Sequence, residues 1–314
     1  MSLILTITFP IYGAIAVGYL IVAKGLFSGG EMRTLGKYVL NIALPALLFN
    51  AVASHDISEV FHPGYMLVFL TGGLATIAVA WVWFTVTGTD KPRRAVAIMG
   101  SVCPNSGFIG YPVMLLAFPD LAGLILALNM LVENFVLIPI CLILMELAKP
   151  GPSRSLPRTI TLAMLSVLKR PMVLGLLAGL LMSLAHIPVP QMADRLFGML
   201  AASAAGLSLI VVGGSMVGLK LTGNQARALQ VAFGKLLLHP ALVALAALGL
   251  PLLGLAGLPS NLYVAVILSA AMPMFGIYTV LAQELGQEAA ASVAMLATTM
   301  LGFFSLSILL FWLT

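Results

Sequence analysis

The chain has 314 residues, 61% of them hydrophobic and only 8% charged, with a mean hydropathy of +1.13. Soluble domains carry about 25% charged residues, so a soluble enzyme is excluded, and so is a disordered chain, which needs low hydropathy. The net charge of +5 comes with no dense basic run, so the expected partner is the lipid bilayer and not nucleic acid.

A bilayer core of about 30 Å takes about 20 apolar residues per helix. By that measure the chain is all-α and polytopic, with ten predicted spans at approximately 3–23, 35–54, 64–86, 94–117, 121–147, 171–186, 195–219, 229–253, 260–284 and 289–313. The runs are continuous rather than alternating, which excludes a β-barrel. Residues 1–147 form a first five-helix half, 148–170 a cytoplasmic linker and 171–314 a second half. No basic residue precedes the first span, unlike a cleaved signal peptide, so this span is expected to be retained with its N-terminus outside.

Basic residues mark one side. Lys24, Arg33 and Lys37 follow the first span; Lys91, Arg93 and Arg94 follow the third. Lys149, Arg154, Arg158, Lys169 and Arg170 follow the fifth, and Lys220 and Arg227 the seventh. These are 13 of the 15 basic residues. Positive loops stay in the cytoplasm, so ten spans place both termini outside in a plasma or inner membrane.

The polar residues inside the spans are few. In the second span Asn41, Pro45 and Asn50 either line a path or satisfy a kinked backbone. In the fifth, Asn129, Glu133 and Asn134 lie close together. An intramembrane charge costs about 3 kcal/mol or more, so Glu133 is either a protonatable or cation-binding group or a hydrogen-bonded packing carboxylate. In the eighth, Lys235 and His239 share a helical face. Lys235 either attracts anions or pairs with an acid, or reaches back to the cytoplasmic surface, and His239 reads as packing. Cys103 and Cys141 read as small apolar residues with no metal-site spacing. No metal or cofactor is expected, and coupling to H+ or Na+ is left open. Gly175-x-x-x-Gly179 and Gly214-x-x-x-Gly218 permit close helix contact, read as intrachain packing. Tyr12 and Met274 can supply an apolar pocket face.

Five spans per half give the halves opposite polarity, the inverted repeat common in secondary transporters. Pro104-x-x-Gly107 and Pro273-x-x-Gly276 recur at the same offset, each near the centre of the fourth span of its half. Proline removes a donor, clashes with the preceding turn and drives the residue before it out of helical geometry. Each span is therefore predicted to break into half-helices, and the two breaks are predicted to cross. Converging helix N-termini then make an anion site without arginine. Asn105 stands at an N-cap position and offers amide donors, and Ser106 adds a hydroxyl. The alternative is a pair of ordinary proline kinks.

These residues resemble a known family. Cys103-Pro104-Asn105-Ser106-Gly107-Phe108-Ile109-Gly110-Tyr111-Pro112 resembles the fourth-helix motif of the auxin efflux carriers. Met272-Pro273 through Ala282-Gln283-Glu284-Leu285 resembles their ninth helix, Asn41 to Asn50 their second, and Lys235 to Pro240 their eighth. The family includes plant PIN-type auxin carriers and bacterial malonate- or malate-type carriers. The resemblance implies a crossover fold like that of bile-acid and sodium–proton exchangers, with spans 1, 2, 6 and 7 as scaffold, 3–5 and 8–10 as transport domain, and a homodimer through the scaffold. It places the substrate carboxylate beside Asn105. The long cytoplasmic loop of many plant members is missing, and the Asn-Pro that often opens the sixth helix is Arg170-Pro171, which leans away from auxin. The second break, Pro273-Met274-Phe275-Gly276, has no amide partner for Asn105.

The expected function is secondary transport of organic carboxylate anions, auxin-like or dicarboxylate, by an elevator-type alternating-access mechanism. The substrate-binding candidates are Pro104, Asn105, Ser106, Gly107, Pro273, Met274, Gly276, Asn41 and Asn50; the coupling or charge candidates are Glu133, Asn134 and Lys235. The alternatives are an anion channel and a non-transporting sensor. No phosphate-cradling Gly-x-x-x-x-Gly-Lys-Ser/Thr loop is present, which excludes ATP-driven pumping by this chain. With no His-Glu-x-x-His motif and no acidic catalytic pair, no enzymatic activity is expected.

Overall fold

The structure is a computed structural model describing residues 2–53, 61–149, 155–219 and 225–313. Arg154 and Lys220 of the predicted orientation code, residues 150–154 of the predicted linker and the terminal Thr314 lie outside the described residues.

The described residues are mostly helical, without a strand. In chain order the helices are α1 Ser2–Ala23, α2 Gly29–Ala53, α3 Pro63–Val86, α4 Lys91–Val102, α5 Ser106–Ala117, α6 Pro119–Leu147, α7 Leu156–Leu168, α8 Pro171–Leu184, α9 Gln191–Ser215, α10 Gln225–Gly249, α11 Ser260–Ala271, α12 Tyr278–Gln283 and α13 Glu288–Leu313. Among the described residues seven of these are long and apolar enough to cross a membrane (α1, α2, α3, α6, α9, α10, α13), and eight cross if α7 and α8, bent by 76° at Arg170–Pro171, count as one span. The sequence predicts ten. Prolines cut the predicted fourth and ninth spans into helices too short to cross singly, and the predicted sixth crosses only if α7 and α8 count together.

Helix boundaries follow local chemistry. α2 starts earlier than predicted because Ser28 and Glu31 form a capping box: the Ser28 N–H donates to the Glu31 carboxylate at 2.7 Å, and the Glu31 N–H to Ser28 Oγ at 3.3 Å. Asp90 caps α4 by accepting from the Arg93 N–H at 3.0 Å. The predicted linker holds α7, with Thr159, Ala163 and Val167 on its buried side.

Four helices widen into a π-helical turn, at Val39–Ala43, Ser106–Gly110, Glu133–Leu137 and Gly234–Leu238. Each turn ends two residues before a proline: Pro45, Pro112, Pro139 and Pro240. A proline ring crowds the carbonyl four residues back and offers it no donor. A wider turn relieves both, as in the bonds from the Leu44 N–H to the Val39 carbonyl and from the His239 N–H to the Gly234 carbonyl.

The chain divides into two compact units. One takes Met1–Pro63, Ser106–Met130 and Leu168–Gly218. In it α1 packs on α9 and α8 on α2, at contacts that glycine makes possible. A Cβ on Gly213 would stand 1.8 Å from the Ile15 carbonyl oxygen, and one on Gly175 2.5 Å from that of Pro45. Gly175 and Gly179 thus serve intrachain packing, as predicted. Gly218 does not: its φ of +78° places it in a left-handed turn that favours glycine, with open space around it. The other unit takes Gly64–Asn105, Leu131–Val167 and Leu219–Thr314. Here α10 packs against α13 and α11, and α12 against α13. The Tyr65 and Ser269 hydroxyls meet at 3.2 Å in its interior.

Candidate functional site

The second unit is built around two broken helices. α4 ends at Val102 because Cys103, before Pro104, is extended (φ −81°, ψ 107°). α11 ends at Ala271 and Met272, before Pro273, is extended in the same way (φ −60°, ψ 144°). The two extended segments pair antiparallel, with Pro104 opposite Met274. The Asn105 N–H donates to the Pro273 carbonyl at 2.7 Å, and the Phe275 N–H to the Cys103 carbonyl at 3.3 Å. Broken helices at membrane depth need protein or a wet cavity to satisfy their backbone, and here each break supplies the other.

The predicted residues at the breaks are brought together. Pro104, Asn105, Pro273 and Met274 are buried, Asn105 with only 5% exposure. Ser106 and Gly107 are buried in the π-helical turn that opens α5. Pro112 deprives the Phe108 carbonyl of its helical donor, and Ser208 Oγ replaces it at 2.9 Å. The two glycines of the repeat differ. A Cβ on Gly107 would meet Leu44 Cδ1 at 2.9 Å, whereas Gly276 is exposed in open space.

The breaks are not equivalent. After Pro104 the chain is helical again at Ser106, and α5 runs on to Ala117. After Pro273 it is helical only from Tyr278, for the six residues of α12. The sequence predicts two matching N-termini; the structure provides one of useful length. The Phe275–Gly276 stretch delays the second.

The other candidates are scattered. Asn41 belongs to the first unit, is exposed, and donates its amide to the Lys37 carbonyl at 2.7 Å, the backbone-satisfying role. Asn50, half-buried in the same unit, donates to the Asp194 carbonyl at 3.4 Å. Glu133 and Asn134 are buried in the π-helical turn of α6. Lys235 is fully buried, so it does not reach back to the cytoplasmic surface. Its Nζ donates to the Ala270 carbonyl at 2.6 Å and lies within hydrogen-bond distance of His239 Nδ1, at 2.8 Å. His239 is fully buried and stacks on Phe69 with ring centroids 6.1 Å apart. The Cys103 and Cys141 thiols touch at 3.9 Å.

Every π-helical turn among the described residues holds one or more of the predicted polar candidates: Asn41, Ser106, Glu133 with Asn134, and Lys235. Such turns frequently mark functional sites. The signal was present in the sequence as a polar residue four to six positions before an intrahelical proline.

One feature the sequence did not reveal is a cavity of about 310 Å³ in the second unit, lined by Arg93 of α4, Arg227 of α10, Tyr278 of α12 and the first turn of α13. Its arginines are remote in sequence and meet only through the packing of α4 with α10. No cluster of metal-ligating side chains is present among the described residues.

Comparison with known proteins accords with this picture. The Mem_trans family, described as "Membrane transport protein", matches residues 3–312. A Rhizobium meliloti (strain 1021) protein named "Putative malonate transporter" is 26% identical over 99% of this chain and 96% of its own length. The Escherichia coli (strain K12) protein named "Uncharacterized transporter YfdV" is 25% identical over 94% of this chain and 92% of its own. A Methanothermobacter thermautotrophicus protein named "Uncharacterized transporter" is 29% identical over 32% of this chain and 33% of its own.

Proposed function

The chain belongs to the auxin efflux carrier family of membrane transport proteins, and we propose that it moves organic carboxylate anions across the bilayer as a secondary transporter. The observation that carries this is the pair of broken helices joined backbone to backbone at Pro104–Asn105 and Pro273–Met274. Broken helices place backbone donors and helix ends inside the span, where an anion can use them. Asn105 and the first N–H groups of α5 are donors suited to a carboxylate. The short α12 adds little dipole, so Met274 and Phe275 serve as an apolar wall. The name of the Rhizobium relative favours a short dicarboxylate over an auxin-like acid.

The cavity beside Arg227 supports the same reading, since that guanidinium near its wall attracts anions, while Arg93 is paired with Asp90 at 3.3 Å. The proposed frame is a ten-span 5+5 inverted repeat with cytoplasmic basic loops and both termini outside. Spans 3–5 and 8–10 then carry the anion in an elevator-type movement. A reporter fused after Thr314 that works only in the cytoplasm contradicts that orientation.

The test is malonate flux into vesicles containing the purified protein. A carrier gives saturable uptake and accelerates it when unlabelled malonate is loaded inside. A channel gives current without such counterflow, and a sensor binds without flux.

A further inference from the structure

Lys235 is the one lysine or arginine that is buried among the described residues. Its Nζ meets a carbonyl and an imidazole nitrogen, and among the described residues no carboxylate lies within 4.0 Å. Burying a charge with neutral partners is costly, and an apolar side chain of similar size avoids the cost. Position adds to the case. The Ala270 carbonyl is among the last of α11, where helix carbonyls lack backbone donors and the dipole is negative. Lys235 therefore caps the half-helix that ends at the second break. Its backbone lies in the π-helical turn forced by Pro240, which delivers it there.

His239 supplies the second half of the device. With Lys235 in its ammonium form, which can only donate, Nδ1 is the acceptor and the proton of neutral His239 sits on Nε2. Nε2 is buried and has no hydrogen-bond partner among the described residues.

We propose that Lys235 and His239 form a proton-carrying site, and that one proton moves with the carboxylate as its co-substrate. In the transfer a Nζ–H bond breaks, its electron pair stays on Nζ, and an N–H bond forms at Nδ1. The imidazolium then gives its Nε2 proton to water. The neutral amine left behind is a weaker donor to the Ala270 carbonyl, so the protonation state acts directly on the second break. It also sets the net charge of the loaded protein, because a proton offsets one negative charge of the anion. Glu133 and the Cys103 thiol are the other ionisable groups that act on Lys235 through space. The helices packed against its turn also carry Lys91, Arg93, Arg94, Arg227, Tyr263 and Glu288, all within their first four residues. The inference rests on the carrier function proposed above.

The experiment follows malonate and protons together, in vesicles with a pH-sensitive dye inside and the membrane potential clamped. The parent protein is expected to move protons with malonate. Arginine keeps its proton at any working pH, so Lys235→Arg should cut coupled proton flux at least about tenfold while malonate-for-malonate exchange persists. His239→Gln keeps an acceptor but not the relay, and should slow proton flux while malonate binding holds. Malonate uptake by the parent without proton movement, or driven by Na+ instead, overturns this inference and leaves the carrier intact. Absence of any malonate flux in the parent overturns the carrier reading and this one with it.

Discussion

Gly175→Ala tests the packing of the first unit quantitatively. The added Cβ would lie 2.5 Å from the Pro45 carbonyl oxygen and 2.9 Å from its Cα. Both are backbone atoms, so no rotamer change relieves the clash. Ordinary carbon–oxygen contact is about 3.3–3.6 Å, so α2 and α8 must part by about 1 Å. A gap of that size forfeits about a quarter to a half of the dispersion attraction along the seam. Overpacking of this kind costs about 1–3 kcal/mol, which corresponds to roughly 3–10 °C in Tm for a unit of this size. Gly206→Ala in α9 is the control. A Cβ there meets nothing within 4 Å, and alanine in a helix interior gains about 0.5–1 kcal/mol over glycine. Thermal denaturation of the purified variants in detergent should show Gly175→Ala melting well below the parent and Gly206→Ala at or above it. Equal melting of the two variants would refute the close approach of α2 and α8.

Ser208→Ala removes the hydroxyl that serves the Phe108 carbonyl and should lower stability by about 1–3 kcal/mol, read as melting temperature, with Ser208→Thr closer to the parent. Lys149, outside the spans, donates to Glu146 at 2.8 Å and to Glu284 at 3.0 Å. Those hydrogen bonds hold its pKa above the usual lysine value. The stabilisation is therefore full below the ordinary lysine value and lost as pH rises from there through the raised folded value. The groups are partly exposed, so the contribution is under about 1 kcal/mol. The melting difference between the parent and Lys149→Met should be small near neutrality and shrink further in strong alkali; a difference that grows with pH contradicts the assignment.

How much was legible in the sequence depended on how local the cause was. Pro104 and Pro273 announce their breaks because proline acts on its own turn and the residue before it. The start of α2 was equally local, in Ser28 and Glu31, yet the apolar ruler passes over a capping box whose first helical turn is polar. The same ruler treats residues 156–168 as linker, because Pro157 and Arg158 open a helix too short to span. Pro45 reads as a kink, and Pro112, Pro139 and Pro240 draw no backbone reading, although at all four the backbone widens into π-helical turns. The fate of Lys235 was not legible. Its partner, the Ala270 carbonyl, becomes available only because Pro273 ends α11, and no local pattern connects the two positions. The unequal breaks were half legible: the missing amide at Met274 was visible, but the delay of the helix to Tyr278 was not.

The carboxylate site proposed above lies at the paired breaks beside Asn105. The most direct measurement is the thermal shift of the purified protein with malonate, compared with Asn105→Ala. A hydrogen bond to a charged group contributes about 1.5–3 kcal/mol, so the variant should bind at least about tenfold more weakly. Malonate should raise the Tm of the parent and lose most of that effect in Asn105→Ala at the same concentration. Equal stabilisation of both proteins would contradict it.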